Sequence, residues 1–135
     1  MPELNSLFHD LDVSIDKDAA SIQNMRRYLH AHPEPSGEEV RTTAYIADQL
    51  DSIDLNYRIG PEGRGLIVDF PGPRTRRFVA LRADIDALRL QDEKTVSYRS
   101  RESNLMHACG HDAHTAMAFG ALKALTATPS VLPED

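Results

Sequence analysis

The sequence predicts an α/β domain in which helices pack on a mostly parallel or mixed sheet. Three observations carry this prediction: apolar residues at helical spacing over 15–32, an almost continuous apolar run at Phe78–Leu81, and a second helical pattern over 113–125. An apolar run without alternation is typical of a strand that is buried on both faces. The order of helix, helix, strands and helix fits such a layered domain.

The remaining segments supply the other predicted elements. Ser36 and Glu39 form a capping-box pattern, which predicts a second helix running to Leu50. Alternation over 55–59 predicts a short half-buried strand, and 66–70 predicts another that ends at a Pro-Gly-Pro turn. A weaker strand pattern covers 96–98. Residues 1–14 are expected to be peripheral and 126–135 to form a loop, so the pattern stops where a layered domain calls for another strand.

Length, charge and cysteine content narrow the class of protein. The 135 residues fit one domain. There are 15 Lys and Arg against 21 Asp and Glu, and the net charge of −6 argues against nucleic acid or an anionic membrane as partner. A single cysteine excludes an internal disulfide, and no segment has the pattern of a signal peptide or a membrane span. We therefore expect a cytoplasmic protein.

The strongest chemical signal is a run of metal-binding residue types at 106–114, which holds three of the six histidines and the single cysteine. Thiolate and imidazole together suit ions such as Zn, Ni, Co or Mn. Cys109 and His111 are two residues apart, and Gly110 between them lets the chain bend so that both reach one ion. Asp112 follows near the start of the predicted helix, where a carboxylate is favourable or orients a ligand histidine.

Structural roles are the alternative for the other histidines of this run. A buried cysteine usually acts as a small hydrophobic residue, but four such residues this close together favour ligation. For His107 and His114 taken singly, the structural and the metal-binding interpretations are equally strong. His114 lies three residues after His111, so it shares a helix face with that histidine or points to solvent.

Two carboxylates, Asp84 and Asp86, form a second candidate site because they follow the predicted strand at 78–81. Ligands of open α/β sheets gather at the carboxyl ends of strands. These side chains either ligate or orient a metal ligand, or they accept bonds from turn amides, and their spacing favours neither alternative. A third pattern, around His30 and Glu34, favours a structural role because histidines at a helix C-terminus complement the helix dipole.

Taken together, these segments resemble the M20 metallopeptidase and amidohydrolase family. The resemblance is strongest to its aminoacylase-like branch, which includes hippurate hydrolases, indole-acetyl-amino-acid hydrolases and N-acetyl-diaminopimelate deacetylases. Three motifs carry it, in the order and separations of the family: Arg27–Glu34, Ala80–Leu88 and Met106–Thr115. The resemblance implies that 1–135 is the incomplete N-terminal part of a zinc-peptidase-like catalytic domain. The C-terminal half of that domain and a lid or dimerisation domain are then absent.

The resemblance also implies a reaction, the hydrolysis of amide bonds in N-acyl amino acids or short peptides. Two divalent ions (Mn, Zn, Ni or Co) occupy the full family site. Cys109 and His111 fall at metal-ligand positions, and Asp86 at that of an active-site aspartate. Asp84 stands where other branches carry a ligand histidine. Family members take their general base from a glutamate beyond the position of Asp135 and often form homodimers through the lid, so this chain alone is expected to be inactive.

The sequence departs from the family pattern at two positions. Arg89 stands where the family usually has proline, and it places a positive charge near the mouth of the site. Asn104 stands where the family often has glycine, which is a mild change because asparagine tolerates a left-handed backbone.

Two other functions are compatible with the same residues. The first is a non-enzymatic metal-binding or regulatory remnant of such an enzyme. The second is a thiol enzyme with Cys109 as nucleophile. That interpretation is disfavoured, because nucleophile and base usually come from distant parts of a chain.

Overall fold

A computed structural model of the chain describes residues 2–70 and 79–128. Its helices and strands are α1 (Pro2–Ala31), α2 (Val40–Asp51), β1 (Tyr57–Ile59), β2 (Leu66–Val68) and α3 (His111–Ala127). A short 3-10 turn connects the two strands. Within the described residues the strands form one antiparallel pair, in which Tyr57 lies opposite Val68 and Ile59 opposite Leu66. Among these helices, none is both long enough and apolar enough to cross a bilayer.

The first helix is longer than the sequence predicts, because it includes the residues expected to be peripheral. No glycine or proline interrupts 3–32, and Pro2 occupies the first turn, where its missing N–H costs nothing. Phe8 and Val13 remain exposed on this first half, so it adds little to the core. The helix ends at Ala31, as expected, because Pro33 disfavours helical backbone in the residue before it.

The hydrophobic core lies where the three helices meet the start of the strand pair. Its fully buried members come from α1, α2, the following loop and α3: Met25, Leu29, Ile46, Leu50, Leu55, Ala116 and Phe119. The third helix lies against α1. At Gly120 a β-carbon would stand 2.6 Å from Cδ1 of Ile22, so the two helices approach closely at this glycine.

The capping box predicted for α2 does not form. Glu39 occupies the N-cap position, but its own side chain makes no capping hydrogen bond. The buried carboxylate of Glu34 accepts the bonds instead, from the backbone N–H of Thr42 at 2.7 Å and of Arg41 at 3.2 Å. Burial alone would raise the pKa of Glu34, but these bonds and the one from the Arg41 side chain outweigh burial and lower it.

The buried strand predicted at 78–81 is not present in its described part. Phe78 lies outside the described residues, and Val79 and Leu81 belong to no strand and are largely exposed. The physical reason is that no neighbouring strand in the described part of the chain pairs with them. The weak pattern at 96–98 forms a turn rather than a strand. Residues 82–110 form no regular helix or strand. Two isolated β-bridges, Pro35 with Ala87 and Leu88 with Met106, hold this segment in place.

Candidate metal site

The segment that carries the predicted ligands turns sharply into α3. Gly110 precedes the helix with φ of 81°, in the left-handed region that glycine adopts without strain. The bend expected at this glycine is therefore present. Cys109 lies before the bend with its thiol free and exposed, and His111 is the first residue of α3.

The imidazole of His111 is fixed by Asp86. Its Nδ1 lies 2.8 Å from Oδ1 of Asp86 and 3.0 Å from the backbone carbonyl oxygen of the same residue. Both acceptors favour the tautomer in which Nδ1 carries the proton, so the lone pair lies on Nε2. A histidine whose other nitrogen donates to a carboxylate is the usual arrangement of a metal ligand.

The donor set fits part of a metal site. A thiolate and an imidazole are both good ligands for borderline-soft divalent ions. Within 2–70 and 79–128, however, no group of three or more His, Cys, Asp or Glu side chains is arranged to hold an ion. The described residues therefore supply some ligands of such a site but not a complete set.

A cleft of about 450 Å³ opens beside His111. Polar side chains from three segments line it: the charged Glu39, Arg82, Asp84 and Asp86, and the imidazole of His111. The carboxylate of Asp84 is paired with Arg82, whose Nη2 lies 2.7 Å from Oδ1. The backbone carbonyl of Asp84 accepts a hydrogen bond from Thr115 of α3, which holds this segment against the helix.

The two neighbouring histidines lie in opposite environments. His107 is buried, and neither of its ring nitrogens has a hydrogen-bond partner within the described structure. Burial lowers the pKa of His107, although the nearby charge of Asp112 acts in the opposite direction. His114 is exposed, and its ring centroid is 6.1 Å from that of His111.

Comparison with known proteins shows to which family the chain belongs. The model of peptidase family M20/M25/M40 matches residues 80–134, which include both candidate ligands and Asp86. A Bacillus subtilis protein named as an amidohydrolase, YhaA, is 38% identical over 122 residues. The chain belongs to the M20 family. The alignment with YhaA covers 90% of this M20 chain and 31% of that protein.

A further relative and two crystal structures are similar to this chain. The N-acyl-L-amino acid amidohydrolase of Geobacillus stearothermophilus is 38% identical over 81% of this chain and 30% of its own length. YxeP of Bacillus subtilis, described as a dinuclear metal-binding peptidase of the M20 family, superposes with a TM-score of 0.76 at 38% identity. That match covers 80% of this chain and 31% of YxeP. A protein described as an aminohydrolase from methicillin-resistant Staphylococcus aureus gives 0.79 at 34% identity, over 90% of this chain and 32% of its own.

These matches confirm the predicted family and the predicted α/β fold class, and the described part of the chain combines helices with a small sheet. The M20 chain spans about a third of the length of the amidohydrolases that it matches. One relative has a different kind of name: a protein of Rhodococcus jostii named as glutamate–cysteine ligase 2-3 is 45% identical over 86% of this chain. The match covers 14% of that protein, so we draw nothing from its named reaction.

Sequence reasoning missed a buried polar cluster in this M20 chain. The carboxylate of Asp112 is hydrogen-bonded away from His111: its Oδ2 accepts from Nδ1 of His30 at 2.7 Å and from Nε of Arg26 at 2.9 Å. A signal for this pair was available, since Arg26 and His30 are four residues apart and therefore share one face of α1. Nothing in the sequence pointed to Asp92, which lies in an irregular segment and also faces His30.

Proposed function

We propose that this chain is the N-terminal part of an M20 catalytic domain that hydrolyses amide bonds of N-acyl amino acids or short peptides with divalent metal ions. The observation that carries the proposal is the bond from Nδ1 of His111 to the carboxylate of Asp86, which leaves Nε2 free for a metal. The substrate class is supported by the Geobacillus stearothermophilus relative, which is named as an N-acyl-L-amino acid amidohydrolase.

Each of the three site residues then has a role. Cys109 as thiolate and His111 through Nε2 would hold the metal, and Asp86 would keep His111 in the tautomer that leaves Nε2 unprotonated. A bound divalent ion, which we propose to be Mn, Zn, Ni or Co, supplies Lewis-acid chemistry to a substrate carbonyl and lowers the pKa of water. The cleft lined by Asp86 and His111 would admit the substrate.

The rest of the site would come from other parts of a longer protein. A catalytic zinc site commonly has three protein ligands, and amide hydrolysis also requires a general base. The described residues supply two candidate donors, and the chain spans about a third of its amidohydrolase relatives. We therefore propose that the C-terminal half of the catalytic domain and a lid, through which two copies pair, complete the enzyme. The intact mass of the protein from its native source, detected with an antibody to 106–114, is expected to exceed 15.0 kDa.

Metal binding by the 135-residue chain tests the ligand assignment directly. Titration with Co²⁺ is expected to produce an absorption band of thiolate-to-metal charge transfer. Cys109→Ser should abolish this band, because a serine hydroxyl is not ionised and is a poor ligand for this ion. Ser103→Ala, a change in the same exposed region without loss of a proposed ligand, should leave the band unchanged. A band that persists in Cys109→Ser would remove the thiolate from the site.

A chimera tests the enzymatic part of the proposal. In the Geobacillus stearothermophilus relative, the aligned 109 residues would be replaced with those of this chain, and hydrolysis of N-acetyl amino acids would be measured. We expect a metal-dependent activity that Cys109→Ser removes, whereas the 135-residue chain alone should show none. Hydrolysis by the isolated chain would contradict the incomplete-site proposal. A chimera that binds metal but never hydrolyses these substrates would favour the alternative, a metal-binding remnant without activity.

A further inference from the structure

His30 lies fully buried between two fully buried carboxylates. Its Nδ1 is 2.7 Å from Oδ2 of Asp112, and its Nε2 is 3.3 Å from Oδ2 of Asp92. The Nζ atom of Lys94 is also 3.3 Å from Nε2. Tyr98 covers the ring edge-on, with 5.8 Å between the ring centroids. A buried imidazole with a partner at each nitrogen has a fixed ring orientation, because any rotation would leave a polar atom unpaired.

Both carboxylates are held by other groups as well. Asp112 also binds Arg26 through Oδ2. Asp92 accepts from the backbone N–H groups of Lys94 and Ser100 and from the Lys94 ammonium group. Burial would raise the pKa of Asp92, but these donors outweigh it and hold the pKa well below the ordinary value. His30 is therefore the junction at which α1, α3 and the segment 92–100 meet.

The contact between His30 and Asp112 links His30 to the segment that carries the candidate metal ligands. Asp112 is the second residue of α3 and directly follows His111. Its Oδ1 is buried without a partner among the described residues, so Oδ2 alone anchors this carboxylate, through Arg26 and His30. Of these two partners Arg26 is partly exposed and His30 is buried, so His30 is the more rigid anchor. Movement of Asp112 would shift the helix start and turn His111 away from Asp86.

We propose that His30 is a positioning residue for the metal site: through Asp112 it fixes the first turn of α3, and so the direction in which His111 presents Nε2. This inference rests on the proposed function, because it assigns His111 to a metal. A purely structural core role is the competing explanation. Under that explanation, loss of His30 would weaken the fold without a specific effect on His111.

Two substitutions separate these explanations, because each keeps one side of the junction. The amide nitrogen of asparagine is as many bonds from Cα as Nδ1 of histidine, so His30→Asn retains a donor to Asp112. The amide nitrogen of glutamine corresponds to Nε2, so His30→Gln retains the group that faces Asp92 and loses the donor to Asp112. Both variants lose buried contacts, and Ile46→Val serves as the stability control, because it changes the core on α2, which supplies no residue to the junction.

The first readout is the ring ¹⁵N spectrum of His111 in the metal-free chain, assigned with a His111→Gln variant. We expect a single Nδ1-protonated tautomer in the unaltered chain, in His30→Asn and in Ile46→Val, and a mixture of tautomers in His30→Gln. The second readout is Co²⁺ affinity, which should fall about 10-fold in His30→Gln and stay close to that of the unaltered chain in His30→Asn.

Equal effects of His30→Asn and His30→Gln, or no change of the His111 signals in either variant, would overturn the proposal. If the unaltered chain shows no Cys109-dependent Co²⁺ band, the proposed function fails by itself. The ¹⁵N spectra still decide the role of His30 in that case, because they need no metal.

Discussion

The carboxylate of Asp86 accepts a hydrogen bond from Nδ1 of His111 at 2.8 Å. This bond joins the start of α3 to a loop residue that lies 25 positions earlier in the chain. The same histidine nitrogen also faces the backbone carbonyl of Asp86, so this one residue fixes both the tautomer and the ring plane of His111. The role proposed for His111 as a metal ligand therefore depends directly on Asp86.

Replacement of Asp86 should therefore weaken metal binding without loss of a proposed ligand. Asp86→Asn removes the negative charge that favours a protonated Nδ1, and we expect the affinity for Co²⁺ to fall about 10- to 100-fold. Asp84→Asn is the matched control, because Asp84 lines the same cleft but pairs with Arg82. Calorimetric titration of both variants measures the difference. Equal losses in the two variants would show that the charge of the cleft, rather than the bond to His111, governs affinity.

The cap of α2 gives a prediction about stability and pH. Glu34→Gln should lower the free energy of unfolding at neutral pH by about 1 kcal/mol, because the carboxylate accepts from two backbone N–H groups of the first turn. The folded-state pKa of Glu34 lies below the ordinary value of 4.5. Its contribution is therefore complete above pH 4.5 and is lost as the pH falls through the lower, folded-state pKa.

Urea unfolding at several pH values measures this contribution. The difference in free energy of unfolding between the unaltered chain and Glu34→Gln should disappear as the pH falls below 4.5. Glu39→Gln is the control, because Glu39 holds the N-cap position but its side chain makes no capping bond. If Glu39→Gln has the larger effect, the predicted capping box forms after all and the cap assigned to Glu34 is wrong.

Replacement of His107 should affect the free energy of unfolding in a way that is unusual for a buried residue. Neither ring nitrogen makes a well-aligned hydrogen bond in the described structure. Burial lowers the pKa of His107 although the backbone carbonyl of Asp86 acts in the opposite direction, so the folded chain still bears a cost of desolvating the ring. His107→Leu should therefore leave the free energy of unfolding unchanged or raise it by about 1 kcal/mol. His30→Leu should instead lower it by about 3 kcal/mol, because two buried carboxylates would lose a partner. Chemical denaturation of both variants checks the contrast, and a loss of stability in His107→Leu similar to that in His30→Leu would contradict it.

Substitutions of Asn104 test the left-handed backbone conformation that precedes the candidate ligands Cys109 and His111. Its φ of 54° lies in the left-handed region, where a β-carbon without a compensating polar group costs about 1 kcal/mol. We expect Asn104→Ala to lower the free energy of unfolding by about that amount and Asn104→Gly to leave it nearly unchanged. Thermal unfolding of the two variants gives the comparison. An alanine variant as stable as the glycine variant would show that this turn relaxes to another conformation.

Local patterns predicted the elements whose stability is largely local. The spacing over 113–125 predicts a helix, and α3 covers His111–Ala127; the alternation at 55–59 likewise yields β1. The prediction for 78–81 was wrong in its described part, because a strand needs a partner and the residue pattern cannot supply one. The capping box failed for a similar reason, since Glu34, brought close by the preceding turn, accepts the first-turn N–H bonds that were predicted for Ser36.

The candidate site likewise contains residues that a local pattern predicts and contacts that depend on tertiary packing. Cys109 and His111 could be named from the sequence because a soft donor pair around a glycine is a local pattern. The contact of Asp112 with His30 could not be named, because it depends on how α1 packs on α3. The roles proposed for Asp86, Cys109 and His111 themselves stay predictions until metal binding is measured.

The exposure of the Cys109 thiol also affects how the protein must be handled. An accessible thiol without a partner in its own chain can oxidise in air to a disulfide between two copies or to a sulfenic acid. Either product removes the thiolate that metal binding would need. A preparation stored without a reducing agent would then lose its capacity for metal while its helices stay intact. Counting free thiols in each sample would separate an oxidised preparation from a chain that does not bind metal.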